Sequence, residues 1–396
     1  MGISYKHGTS HIYGNKRSNY TKPIGGDINL ITKNEIDEVL RRYNPNEISI
    51  CTICSHTALQ IFHGAKTEGF KTIGISTKDR VSTYNAFPQA KPDKIITVDK
   101  FTEILDPKFQ DTLKKNNTII IPHGSFIEYV GSENIMNEFT VPMFGNRLSL
   151  VWESDRDRQR KWIEDAGLIM PSKYKNPSKI DGKVFVKFPG AKGGKGFFTV
   201  NSEKNFYEEL NLRIKRGVIQ ESDVPKVGIQ EFLLGVRYYP HYFYTLFENS
   251  GIKAGKGKVE IMGIDRRIEP IDEAYRGLPD VPPEFFDYTV TGNQPVVLRE
   301  SLLPEVLNFG VNVVNTSLKL FPLGMIGAFC LETIYHPSRG FVVFEISARI
   351  VAGTNVYTEG SQYSQYSYKE PMSMGRRIAR EIKTGITKNE LTKIVY

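Results

Sequence analysis

Lys187-Phe-Pro-Gly-Ala-Lys-Gly-Gly-Lys-Gly196 is the stretch on which the fold turns. Four glycines within seven positions, at 190, 193, 194 and 196, let main-chain amides approach a bound anion closely. Lys187, Lys192 and Lys195 add positive charge, so the combination suits a polyphosphate. It is not a Walker A loop. The GxxxGK spacing is one residue short, Gly196 stands where Ser or Thr would meet magnesium, and a strand pattern follows. A mobile glycine hairpin is the plain alternative.

Outward from the loop, KVFVKF and FFTVN read as two strands that it joins, and NSEKNFYEELNLRIKRG as the next helix. GIQEFLLG, YYPHYFYTLF, KVEIMGID, MIGAFCLETIY and GFVVFEISARI read as further strands in antiparallel-looking succession, and SMGRRIAREIKTG as a basic helix. Upstream, VWESDRDRQRKWIEDAGLIMP predicts an amphipathic helix, with Ser154 and Asp157 as a capping box and Gly167 and Pro171 as its stop. Glu332 and Glu345 fall on predicted strands. Carboxylates on adjacent strands can hold magnesium against substrate phosphates, while pairing of Glu345 with Arg349 four residues on is the structural alternative. Asp265 and Glu269 in GIDRRIE read as a charged cluster after a strand, either an exposed loop or a ligand contact.

Between Lys33 and about Gly145 the pattern is strand and helix in alternation, which predicts a parallel sheet with ligands at the carboxyl ends of its strands. Two such ends carry polar clusters: Ser55, His56 and Thr57, and His123, Gly124 and Ser125. Cys51-Thr-Ile-Cys54 matches CxxC in form, but a strand would turn the two cysteines to opposite faces, so a redox role is rejected. Residues 1–33 show no periodicity and are expected to be an extension whose composition tends to disorder.

The 396 residues suffice for two or three domains. Five basic residues among the first 33, against Asp27 alone, carry half of the net charge of +8, and no basic block interleaved with aromatics follows. Nucleic acid is therefore not the expected partner, whereas anionic small molecules are. Neither a membrane-spanning run nor a secretory signal is found, and three cysteines make no disulfide framework, so the expected location is the cytoplasm.

Taken in order, these elements resemble an ATP-grasp enzyme. Within that superfamily SHTAL, PHGSF, VPMFGNR, KFPGAKGGKGFF, TGNQPVVLRESLLP, GMIGAFCLE, FEISAR and PMSMGRRIAREI resemble the formate-dependent FAICAR synthetases of archaeal purine biosynthesis, over about residues 34–385. The resemblance implies an α/β and α+β chain: a Rossmann-like domain over 34–150, then an ATP-grasp domain over 151–396, with a small lobe of about 182–235 and a large lobe of about 236–396. It implies formylation of the ribonucleotide AICAR from formate and ATP, with Mg²⁺ or Mn²⁺, in a homo-oligomer, a trimer or hexamer. His56, Ser125 and Asn293 would contact the ribonucleotide. Lys161 and Lys187 would hold the ATP phosphates, Gly193, Gly194 and Gly196 would cover them, and Glu231 and Glu269 would position the nucleoside. Glu332 and Glu345 would bind the metal, and Arg349 would spread charge on the transferring phosphoryl group. Apolar Val351 and Ala352 after that arginine, where an acid and a glycine are expected, keep open a ligase for another acid and amine. Nucleotide binding without turnover is the further alternative.

Overall fold

The computed structural model describes residues 30–188, 197–270 and 289–396. The first part is a four-stranded sheet of β1 (Ser49–Ile53), β2 (Lys71–Thr77), β3 (Lys94–Val98) and β4 (Thr118–Ile120), ordered β3-β2-β1-β4 and parallel throughout. All five residues of β1 are buried, which is why it reads as an unbroken apolar run rather than an alternation. Cys51 and Cys54 are free, buried and in separate apolar clusters, and burial pushes both thiols up, as their dismissal as a redox pair requires. The extension expected over residues 1–33 falls almost wholly outside the described residues.

The helix Ala58–Thr67 covers this sheet and is crossed closely by the C-terminal helix Met374–Thr387. The closeness depends on two glycines. A Cβ on Gly64 would lie 2.1 Å from the Arg376 amide nitrogen, and one on Gly375 would lie 2.2 Å from the Gln60 carbonyl oxygen. The basic helix is thus an internal strut. Its Arg377 is fully buried, with Nε 2.8 Å from Glu260 and Nη1 2.9 Å from Glu381.

Two antiparallel sheets make up the rest. The smaller has the order β5-β8-β6-β7, from β5 (Lys173–Tyr174), β6 (Val184–Lys187), β7 (Phe198–Val200) and β8 (Gly228–Glu231), and packs Val184, Val186, Phe198 and Ile229 against Phe206 and Leu210 of the helix Glu203–Lys215. The larger contains β9 (Val236–Thr245), β10 (Ile252–Ala254), β11 (Gly257–Ile268), β12 (Gly292–Pro295), β13 (Gly327–His336) and β14 (Gly340–Ser347), ordered β10-β11-β9-β13-β14 with β12 on β11. The helix Leu303–Leu320 backs it, and buried Trp162 ties the helix Arg156–Asp165 to that layer by donating from Nε1 to the Val313 carbonyl at 3.0 Å. Among the described residues no helix is long and apolar enough to cross a membrane.

The capping box expected at Ser154 and Asp157 does not form. Ser154 closes the helix Arg147–Ser154, and its hydroxyl donates to the Leu150 carbonyl at 2.8 Å. Asp155 is the cap instead, accepting from the amides of Asp157 at 3.0 Å and Arg158 at 2.9 Å. A carboxylate at this position also meets the positive end of the helix, so it prevails over the serine one residue earlier.

Candidate active site

The three sheets converge on one cleft of about 780 Å³. This is within the range of small-molecule sites. Its floor is the large sheet, where strand alternation brings polar side chains to one face: Arg237 and Tyr239 from β9, Arg267 and then Glu269 from β11 and its end, and Glu332 from β13. A β-bulge at Glu332 and Thr333 leaves Phe344 without an opposite residue, so Phe344 and Glu345 stand side by side in the wall. The small sheet supplies Phe185, Lys187, Gln230 and Glu231, and the parallel sheet supplies His56, Gly124 and Ser125 from its strand ends.

Nine of the residues expected at the site line this cleft: His56, Ser125, Lys187, Glu231, Glu269, Asn293, Glu332, Glu345 and Arg349. Gly193, Gly194 and Gly196 lie outside the described residues. Lys161 is not brought there. It points outward from its helix, half-exposed, and pairs with Asp165 at 2.8 Å. The side chain that does reach the cleft from that helix is Arg156, 3.5 Å from Glu345 Oε2.

Glu332 and Glu345 are directly opposite each other on β13 and β14. Arg267 grips Glu332 through both guanidinium nitrogens, with Nη1 2.8 Å from Oε2, and stacks over Tyr239 at 4.2 Å. Burial pushes Glu332 up, Arg267 pulls it down, and the facing Glu345 leaves it above the usual 4.5. Burial acts on Glu345 in the same direction, but Arg156, Lys187, Arg267 and Arg349 outweigh it, so Glu345 is held down as a carboxylate. Lys187 stands among Phe185, Phe197 and Phe344, with Nζ 5.4 Å from the Phe344 ring centre. Desolvation pushes its ammonium down to about 8, with Glu345 opposing. Cations and two carboxylates thus meet at one end of the cleft, a charge pattern that matches a metal–polyphosphate.

Arg349 does not pair with Glu345 as the four-residue spacing suggested. Its Nη2 is 3.0 Å from Glu153 Oε1, and the other Glu153 oxygen accepts from the Ala348 amide at 2.8 Å. Glu345 lies within β14, whereas Arg349 lies two residues beyond its end in a bend, where Glu153 approaches from the helix Arg147–Ser154. Asp265 is likewise no loop residue. It lies within β11, only 1% exposed, and Glu269 just beyond is gripped by Arg237.

In the part of the cleft lined by the parallel sheet, His56 adopts a left-handed backbone with φ of 54°, a strained state for a non-glycine residue. It stacks on His123 at 5.4 Å between ring centres. Burial lowers the imidazole of His123 to about 4, and the solvent-exposed His56 is lowered too, by desolvation against the packed cleft wall and by the neighbouring His123, Arg349 and Arg267. His123 is a structural residue: its Nε2 donates to the Ile53 carbonyl at 2.9 Å and its Nδ1 caps Phe126. Ser125 accepts from Ser55 at 3.0 Å. Val351 lines the cleft and is buried with Tyr239, Cys330 and Phe344.

Two family models match the chain, one described as a protein of unknown function (DUF1246) over residues 50–174 and one as a domain of unknown function (DUF1297) over residues 205–396. A protein of Korarchaeum cryptofilum named 5-formaminoimidazole-4-carboxamide-1-(beta)-D-ribofuranosyl 5'-monophosphate synthetase is 52% identical over 368 residues, covering 93% of this chain and all of the relative. The chain belongs to this synthetase family. The crystal structure of an IMP biosynthesis protein PurP from Thermococcus kodakaraensis, 31% identical, matches with a TM-score of 0.67 over 88% of this chain and all of that one. An ADP complex of purK, an N5-carboxyaminoimidazole ribonucleotide synthetase, shares the fold with a TM-score of 0.57 over 85% of this chain and 76% of that one, at 14% identity. The enzyme is therefore an ATP-grasp synthetase whose parallel-sheet layer precedes the grasp fold.

Sequence reasoning missed Arg156, Arg237, Arg267 and Glu153. The signal for Arg267 was the alternation of Asp265, Arg267 and Glu269, which continues the β11 pattern with polar residues where the strand enters the cleft.

Proposed function

We propose that the protein formylates the 5-amino group of AICAR with formate and ATP, giving FAICAR, ADP and phosphate in purine (IMP) biosynthesis. The observation that carries this reading is one cleft, in a relative of the FAICAR synthetases, that gathers Lys187, Arg156 and Arg267 with the opposed Glu332 and Glu345, and is lined as well by His56, Ser125 and Asn293. Formate is a poor acylating agent because hydroxide would have to leave. An oxygen of formate first attacks the γ-phosphorus of ATP, expelling ADP and forming formyl phosphate. The AICAR amine then attacks the formyl carbon, the C–O bond to phosphate breaks, and the amine proton leaves with the phosphate.

In this reading Lys187 and Arg156 hold the phosphates, Glu231 and Glu269 hold the nucleoside, and Arg349, oriented by Glu153, faces the transferring phosphoryl group. His56, Ser125 and Asn293 hold the ribonucleotide, and neutral His56 offers no charge that would protonate the attacking amine. Glu332 and Glu345 would hold a divalent cation. Among the described residues no cluster of three or more metal-binding side chains exists, which suits magnesium, an ion that completes its shell with phosphates and water. When bound, it neutralises phosphate charge. Proximity and exclusion of water from the hydrolysable formyl phosphate complete the demand on the site.

The same reading expects a trimer or hexamer in the cytoplasm, which light scattering on the purified protein tests for size. Activity is tested with ATP, Mg²⁺, formate and AICAR. ADP, phosphate and FAICAR should appear in equal amounts only when all are present. ADP release without AICAR, or none in the full mixture, contradicts the proposal, and screening other acids and amines then addresses the sister-ligase alternative.

A further inference from the structure

We infer that Asp265, held by His241, is a positioning residue that fixes which end of the Asn293 amide faces the substrate, and so makes Asn293 an acceptor for the reacting amine. This rests on the proposed AICAR reaction and adds a source of amine specificity to it. The three residues form a diagonal row across neighbouring strands. His241 on β9 lies opposite Gly263, two residues before Asp265 on β11, and Asn293 on β12 lies opposite Arg267, two residues after it. His241 Nε2 is 2.8 Å from Asp265 Oδ1, and Asn293 Nδ2 is 2.7 Å from Asp265 Oδ2. Asp265 and His241 are buried, whereas Asn293 lines the cleft.

A carboxylate can only accept hydrogen bonds, so the Asn293 end that meets it must be the NH₂ group. If the amide turned over, two acceptor oxygens would face each other at hydrogen-bond distance with nothing between them. The Asn293 carbonyl oxygen is therefore the end left for the cleft, and it recognises an N–H donor while rejecting a carbonyl. Two further observations show that Asp265 is held in place. The His241 ring spends its one hydrogen bond on it, because Nδ1 is buried without a partner among the described residues. Gly353, in the cleft wall, has no side chain at the point where a Cβ would sit 2.2 Å from Asp265 Oδ1.

The test compares AICAR with the analogue lacking the 5-amino group in the wild type and in Asp265→Asn, by calorimetry for both and by kinetics with AICAR as substrate and the analogue as competitive inhibitor. The substitution keeps the shape but lets the two amides pair in either sense. AICAR binding should weaken and its KM rise about 10- to 100-fold, the effect of one buried polar group left mispaired. The KM for ATP should stay unchanged, and the preference for AICAR over the analogue should collapse towards one. His241→Gln, whose amide can donate in place of Nε2, should keep the preference, and His241→Leu should lose it, so that a failure of Asp265→Asn to fold leaves the inference open to refutation. Equal weakening of AICAR and analogue, or an intact preference in Asp265→Asn or His241→Leu, overturns it. If the wild type does not turn over AICAR, the underlying reaction has failed. Turnover with unaltered selectivity in the variants defeats the positioning role alone.

Discussion

Raising the pH from 7 to 9 should weaken MgADP binding about tenfold. The magnitude follows from Lys187, whose ammonium is pushed down to about 8 by desolvation among Phe185, Phe197 and Phe344 and is supported chiefly by Glu345. With that value about a tenth of the molecules lack the charge at pH 7 and about nine-tenths lack it at pH 9, so the fraction competent to grip a phosphate falls about tenfold. The shift is downward, so affinity is full below about pH 7, falls as the pH rises through 8, and falls well before an ordinary lysine would titrate near 10.5. Calorimetric titration of MgADP at half-unit pH steps measures the curve. Glu345→Gln should move the midpoint below 8, because it removes the largest charge that favours the ammonium, and Lys187→Met should bind weakly and without slope over the same range. A flat wild-type curve, or the same slope in Lys187→Met, refutes the phosphate role given to Lys187.

Three further outcomes follow from the geometry. Glu345→Gln and Glu332→Gln should each lower kcat by about 10² to 10³, since each removes a carboxylate that would hold the divalent cation at the phosphates, and Glu332→Gln should lower the melting temperature as well because buried Arg267 loses its paired charge. Lys161→Ala should stay within about twofold of wild-type activity because its partner is the exposed Asp165, whereas Arg156→Ala should raise the KM for ATP. Thermal melts at pH 7 and pH 5 should show stability falling with acid: buried His123 stays neutral down to about 4 when folded but takes a proton near 6.5 when unfolded, so protons favour the unfolded chain in that window. His123→Gln should flatten that dependence.

Much of the fold was legible because the strands obey simple periods. The unbroken run of β1 and the strand–helix alternation after it announce a parallel sheet, and the two apolar strands either side of the glycine stretch are the antiparallel pair β6 and β7. Lys187, Glu332 and Glu345 were legible because charged residues inside apolar strands need a reason to be there. The helix Arg156–Asp165 defeated the same approach: its RDRQRKWIED carries charge on nearly every face, and only the burial of Trp162 and Ile163 decides that Lys161 turns outward. Asp265 was misread because polar residues at the end of an apolar strand look like a loop until the opposing strands are known. Glu153 left no local mark, since its partner Arg349 is nearly two hundred residues away.

The most direct test of the account follows the oxygen of formate. Formate labelled with ¹⁸O is supplied with unlabelled ATP, Mg²⁺ and AICAR, and the released phosphate is analysed by mass spectrometry. Transfer through formyl phosphate predicts one heavy oxygen in each phosphate formed, in step with FAICAR. Unlabelled phosphate accompanying FAICAR would contradict the activation of formate by the γ-phosphoryl group on which the account is built.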